Sequence, residues 1–331
     1  MKSKMPLSVE VVRGSTVESH HNVMAVMMDE TGATVGQWGN PEFLTFPRSA
    51  IKMLQALPLI ETGTADAFEL NDVQLCLSCA SHNGEEKHIM AIASYMKRTG
   101  VRESMLACGA HLPYNEQAAH ELIRRDVKPT PIVNNCSGKH TGMMATCIHL
   151  KENPEGYERY DHPQQVRVRR ALSETMQLDV HKAPYGIDGC GIPTYALPLK
   201  NLALGMVSLI SAKESADRRF AARKLIEAVR REPFYIAGTG DFNTEVILKT
   251  DGRCVVKGGA EGVFCGVIPE KGLAFALKAE DGSGRASQAA AGCLLQSYGA
   301  ITAAESESLK SYLQPKVKNW KGLEVGQIRV N

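Results

Sequence analysis

The sequence has little imbalance of charge: 38 Lys and Arg face 36 Asp and Glu, a formal +2 over 331 residues. No run of one sign stands out, so nothing points to nucleic acid or a membrane surface as partner. Any apolar run near the length of a membrane span is also missing. The basic start MKSKMPLSVEVVRG has no continuous apolar stretch of signal-peptide length. A cytoplasmic location is the expectation. The nine cysteines are scattered and odd in number, which argues against a secreted disulfide framework. Internal repeats, low-complexity tracts and long Pro/Gly/Ser linkers are missing as well, so residues 1–331 read as one two-lobed domain. What is there, 44% hydrophobic and 22% charged residues, is the composition of a soluble globular protein with a large core.

The hydrophobic pattern predicts strands over residues 7–13, 21–29 and 33–38, the last two joined by a turn at Thr31-Gly32. Helical spacing then starts near Ser49 and stops at Gly63. The run 72–80 fits helix or buried strand equally, and a helix follows from Glu85 to Arg98. Further helices are predicted at 115–125, 139–150, 163–177 and 202–231. Residues 186–191 carry too many glycines for regular structure. Past Pro233, residues 244–250, 253–257, 262–268 and 273–279 read as short antiparallel strands, and helices near 284–297 and 303–313 close the chain. Strands at both ends with helices between them give an α+β fold, an antiparallel sheet built from both termini with a helical lobe inserted.

Three short patterns carry chemistry. Ser49-Ala50-Ile51-Lys52 is a Ser-x-x-Lys at a helix start, where residues three apart share a face. A hydroxyl beside an amine is a weak nucleophile next to a base, the minimum for covalent acyl transfer. About one such match is expected by chance in a chain of this length. Two more patterns follow in order: Ser81-His82-Asn83, a Ser-x-Asn closing an apolar segment, and Lys257-Gly258-Gly259, a Lys-x-Gly on a late strand. Together they are relaxed forms of the triple signature of serine β-lactamases and penicillin-binding proteins. A lysine works as a base only when burial or a nearby cation lowers its pKa. Plain structural readings stand beside these: Lys52 as a solvated helix residue, Ser81-Asn83 as a helix cap, Lys257 as the exposed end of a strand.

A second constellation is Cys136, Lys139, His140, Asp188 and Cys190. A Cys-x-x-x-His step with another Cys about fifty residues later suits zinc by ligand type but matches no zinc-finger spacing. Two buried thiols beside a helix N-terminus explain the same residues. His20, His21 and His82 read as hydrogen-bonded strand or loop residues, and Cys76, Cys79, Cys147 and Cys293 as core.

In order along the chain, the blocks 13–20, 47–52, 80–85, 135–140, 188–191, 238–240 and 257–262 resemble the L-asparaginases of rhizobial type, asparaginase II family, over nearly the whole chain. The resemblance implies a fold similar to serine β-lactamases and glutaminases, and a homodimer. It implies two Ser-Lys pairs, Ser49/Lys52 and Ser81/Lys257, and one zinc ion held by Cys136, Lys139 and Cys190. His140 and Asp188 would line the pocket. Apart from the resemblance, Arg48 is a candidate to pair the substrate carboxylate and Asp188 its ammonium, with a structural partner as the alternative for Arg48. Two positions depart from the family pattern: Asn83 where Ser is expected in many members, and Gly258 where Thr is frequent. The expected reaction is hydrolysis of L-asparagine to L-aspartate and ammonia. The alternatives are a glutaminase, a β-lactam or peptide amidohydrolase of the same fold, and a non-catalytic zinc-binding protein.

Overall fold

The computed structural model of the chain describes residues 2–331. They fall into two compact units, each assembled from several chain segments.

The first unit takes the chain up to Ile51, Ala196–Lys213 and Glu245–Asn331. Its centre is a nine-stranded sheet: β1 (Lys2–Ser3), β2 (Leu7–Arg13), β3 (Thr16–Asp29), β4 (Thr34–Trp38), β5 (Val255–Gly259), β6 (Val263–Ile268), β7 (Leu273–Ala279), β8 (Lys316–Lys318) and β9 (Glu324–Val330). The main order is β8-β9-β2-β3-β7-β6-β5, with β4 also paired to β3 and β1 to β4. Every pairing is antiparallel except that of β1 with β4. β3 is long because it serves three neighbours: residues 16–23 pair with β2, 25–28 with β4, and 23–29 with β7. Val23 to Met28 are all buried, as a central strand covered on both faces must be. The helices Leu199–Ser208 and Gly284–Ser297 pack against the sheet. The sheet joins strands from both ends of the chain, as the sequence suggests. The pair β8 and β9 has no counterpart in the sequence reading.

The second unit, Lys52–Tyr195 with Glu214–Thr244, is mainly helical. The helix Lys52–Glu61 packs against Ser137–His149, Pro163–Met176 and Ala216–Arg231, burying Leu54, Leu57, Val168, Leu172, Leu225 and Val229. The run 72–80 resolves as the helix Asp72–Cys79, opened by a reciprocal cap between Asn71 and Gln74. Residues 202–231 form two helices, not one, because Ser215 caps a new start at Ala216. Residues 186–191 are not wholly irregular: Tyr185–Ile187 and Pro193–Tyr195 form a hairpin around the Asp188 turn. The expected strand at 244–250 is instead part of a helix, Phe242–Lys249. Among the described residues no helix is long and apolar enough to cross a membrane.

Candidate active site

In the first unit, Ser49 lies in a turn of 3-10 helix, Arg48–Ile51, and the regular helix starts only at Lys52. Arg48 has a φ of 49°, an uncommon backbone state for a residue with a side chain. Such strain persists only where surrounding packing imposes it, and it concentrates at functional sites. Here the packing comes from the end of β5. A Cβ on Gly259 would sit 2.8 Å from the Pro47 carbonyl oxygen and 3.2 Å from the Ser49 amide nitrogen. Only glycine lets that strand approach the turn so closely. Two residues earlier on β5, Lys257 is buried at 1% exposure and donates to the Gly258 carbonyl at 2.8 Å. Burial on the strand rules out the exposed-end reading of Lys257.

In the second unit, Lys52 is also 1% exposed, which rules out the solvated reading. Its amine donates to the Ala80 carbonyl at 2.5 Å, to Ser81 Oγ at 2.9 Å and to Cys136 Sγ at 3.2 Å. From Cys136 the network continues inward. Its thiol is hydrogen-bonded to Cys190, and Lys139 Nζ donates to Cys190 Sγ at 3.1 Å. Five predicted residues therefore form one chain of contacts: Ser81, Lys52, Cys136, Cys190 and Lys139. The Cys136 hydrogen bond, aided by the Lys139 ammonium and opposed by burial, pulls Cys190 down to about 5. The same bond, together with burial, pushes Cys136 up to about 12. Burial would lower Lys139, but the charges of Cys190 and Cys136 override it and hold its proton more tightly. The shared hydrogen bond and the Lys139 charge thus favour ionisation at Cys190 over Cys136.

That donor set bears on zinc. Among the described residues, no three His, Cys, Asp or Glu side chains gather as a metal-holding group. A metal here would need the Lys139 amine as third donor beside the two sulfurs. Two soft sulfurs and one nitrogen in mutual contact fit zinc by ligand type. His140 is fully buried and pushed down to about 3, first by burial and then by the Lys139 charge. Its Nδ1 lies 2.5 Å from Tyr157 Oη, and its Nε2 has no partner. Asp188 is half-buried in the hairpin turn, where the Gly191 amide bonds its carbonyl, and its charge acts on both Lys139 and Cys190.

Sequence patterns missed the residues that hold these groups in place. Asn134 ties the Cys136 loop down, donating to the Cys108 carbonyl and accepting from the Cys136 amide, both at 2.8 Å. Gly138 allows helix contact, since a Cβ there would meet the Leu77 carbonyl at 2.4 Å. His82, by contrast, is the hydrogen-bonded loop residue the sequence suggests: it accepts from the Gly84 amide, and its other nitrogen meets Ser137 Oγ at 3.0 Å. The segment Ser81–Asn83 pairs with residues 236–237 through Ser81 N–H to Ile236 O and Asn83 N–H to Ala237 O. Asn83 is no helix cap; its side chain donates to Glu85, which also receives the amide and hydroxyl of Thr239. Gly238, at a φ of 113°, would clash with Asn83 if it carried a Cβ. The signal available in the sequence was the glycine pair around Thr239.

A family model described as L-asparaginase II matches residues 9–330. No match was found among curated proteins. Among solved structures, the chain is similar to a candidate β-lactamase from Bacteroides dorei DSM 17855. That pair shares 13% identity, with 83% of this chain and 85% of the other covered, at a TM-score of 0.37. It is also similar to the octameric penicillin-binding protein homologue from Pyrococcus abyssi, at 15% identity. There 91% of this chain and 79% of the other are covered, at a TM-score of 0.30.

Proposed function

The chain belongs to the L-asparaginase II family and is an amidohydrolase, and on that premise we propose that it hydrolyses L-asparagine to L-aspartate and ammonia through a Ser-Lys nucleophile. Ser49 Oγ adds to the side-chain amide carbon while its proton passes to the Lys52 amine. Collapse of the tetrahedral species breaks the C–N bond, and the nitrogen leaves as ammonia with the proton held by the lysine. Water then adds to the aspartyl ester and gives its proton to the lysine. The ester bond breaks and Ser49 recovers its hydrogen. In the same proposal Ser81 and Lys257 relay protons or hold substrate. Arg48 pairs the substrate carboxylate, Asp188 its ammonium, and His140 lines the pocket. Cys136, Lys139 and Cys190 would hold zinc, which supplies a fixed positive charge for substrate oxygen. Lys139 must give up its proton to bind it.

The observation that carries this reading is the buried Lys52 amine, bonded at once to Ser81 Oγ and to the thiol network. The same 2.9 Å bond supports a second reading in which Ser81 is the nucleophile. Ammonia release from asparagine, measured for wild type, Ser49→Ala and Ser81→Ala with and without added zinc, decides between them. The proposal expects Ser49→Ala to lose about a thousandfold or more with the fold intact. Retained turnover in that variant, lost in Ser81→Ala, transfers the nucleophile to Ser81. Turnover of glutamine or a chromogenic β-lactam in place of asparagine would change the substrate. No ammonia from any amide, with unfolding on chelation, would replace the enzyme by a zinc-binding protein. A homodimer is part of the same proposal, and light scattering checks it.

A further inference from the structure

We propose that Tyr157 is a positioning residue that fixes the buried His140 as the tautomer with hydrogen on Nε2, ready to donate to an oxygen of bound substrate. The argument is a count of hydrogens. Tyr157 is 1% exposed, and its phenolic oxygen accepts the Ala107 amide at 2.9 Å. A phenol has one hydrogen to give, and the group in reach is His140 Nδ1 at 2.5 Å. If Tyr157 donates, Nδ1 is the acceptor and Nε2 carries the imidazole hydrogen. One buried group is then left without a protein partner, the Nε2–H donor. If His140 donated from Nδ1 instead, both the phenolic hydrogen and the Nε2 lone pair would be stranded. A doubly protonated ring strands the phenolic hydrogen and Nε2–H together. Stranded buried polar groups are costly, so the first arrangement is selected. Tyr157 itself is anchored at both ends, since its carbonyl accepts from Gln165 Nε2 at 2.9 Å.

An unpartnered donor beside Lys139 on the same helix suits an anionic or carbonyl oxygen of a small substrate. This rests on the amidohydrolase reading of the site. The test is nitrogen-15 NMR of the His140 ring in the full-length enzyme, with kinetics of wild type and Tyr157→Phe. The expected result is Nε2–H in wild type, a shift toward Nδ1–H in Tyr157→Phe, and a rise in KM for asparagine of about tenfold, larger than any fall in kcat. Nδ1–H in wild type overturns the proposal, as does a variant whose tautomer or KM is unchanged. The wild-type spectrum decides the tautomer even if the variant does not fold. If wild type releases no ammonia from asparagine, the function reading fails, while the spectrum, taken without turnover, still judges Tyr157.

Discussion

At Lys52 the penalty of burying an amine is offset by three acceptors, and each of them belongs to the candidate site. Lys52→Met keeps about the same packing volume and removes the donor shared by the Ala80 carbonyl, Ser81 Oγ and Cys136 Sγ. Ammonia release is expected to fall about 10²–10⁴-fold, and urea unfolding to register a loss of about 1–3 kcal/mol. His88 prefers a neutral ring. It is buried against Phe234, at 4.5 Å between ring centroids, and burial lowers it from 6.5 to about 4. The unfolded chain takes up that proton below pH 6.5 while the folded chain refuses it until about pH 4. The contribution is therefore full above 6.5 and lost as pH falls through that window. His88→Phe should flatten this part of a urea-midpoint curve measured against pH; an unchanged slope would remove His88 from the account. The Ser-x-x-Lys pair, Ser81, Lys257 and the Cys136–His140 block were legible because each motif is local in sequence. Asn134, Tyr157 and the close approach that Gly259 permits beyond its motif were not, because each matters through a partner brought close only by folding.

Among elements, the misread segment 244–250 is instructive. Val246 and Ile247 favour a strand by shape, yet both are fully buried within a helix. The local start signal was Asp241, whose carboxylate accepts the Asn243 amide at 2.7 Å. Similarly, helical spacing announced a helix from Ser49 but could not reveal a 3-10 turn, which is imposed by the approach of β5. Strands β2 and β7 and the helix Gly284–Ser297 were legible because alternation or helical spacing agreed with clear turn residues at their ends. The link between the Ser81 segment and the Gly238 loop is a pairing without regular strand labels, so periodicity had nothing to detect. Its clamp is Glu85, whose carboxylate holds Thr239 N–H at 2.7 Å and Asn83 Nδ2 at 2.8 Å. Glu85→Ala should free the loop, so that the Ser81 and Asn83 amides exchange hydrogen faster with deuterated solvent. Unchanged exchange at those two amides would show that the backbone bonds suffice alone.

For the molecule as a whole, the alternation of strand-rich and helix-rich stretches was enough to predict the α+β architecture and a sheet drawn from both termini. The number of returns was not legible: the chain passes between the two units after Ile51, Tyr195, Lys213 and Thr244. The final strands were missed because Lys316–Lys318 is short and charged and Glu324–Val330 is half polar. They nevertheless cover β2, whose Val9 and Val11 are buried. A chain cut after Pro315 leaves β2 as an uncovered apolar edge. Dynamic light scattering is expected to find it aggregated, and a monodisperse soluble product would argue that β8 and β9 are dispensable. Glu10 on β2 and Arg329 on β9 form an ion pair across 319 residues of chain. Residues 324–330 must therefore leave the ribosome before β2 receives its last neighbour. Until then the nascent product carries an open seam along β2, and that interval is when chaperones would have most to guard.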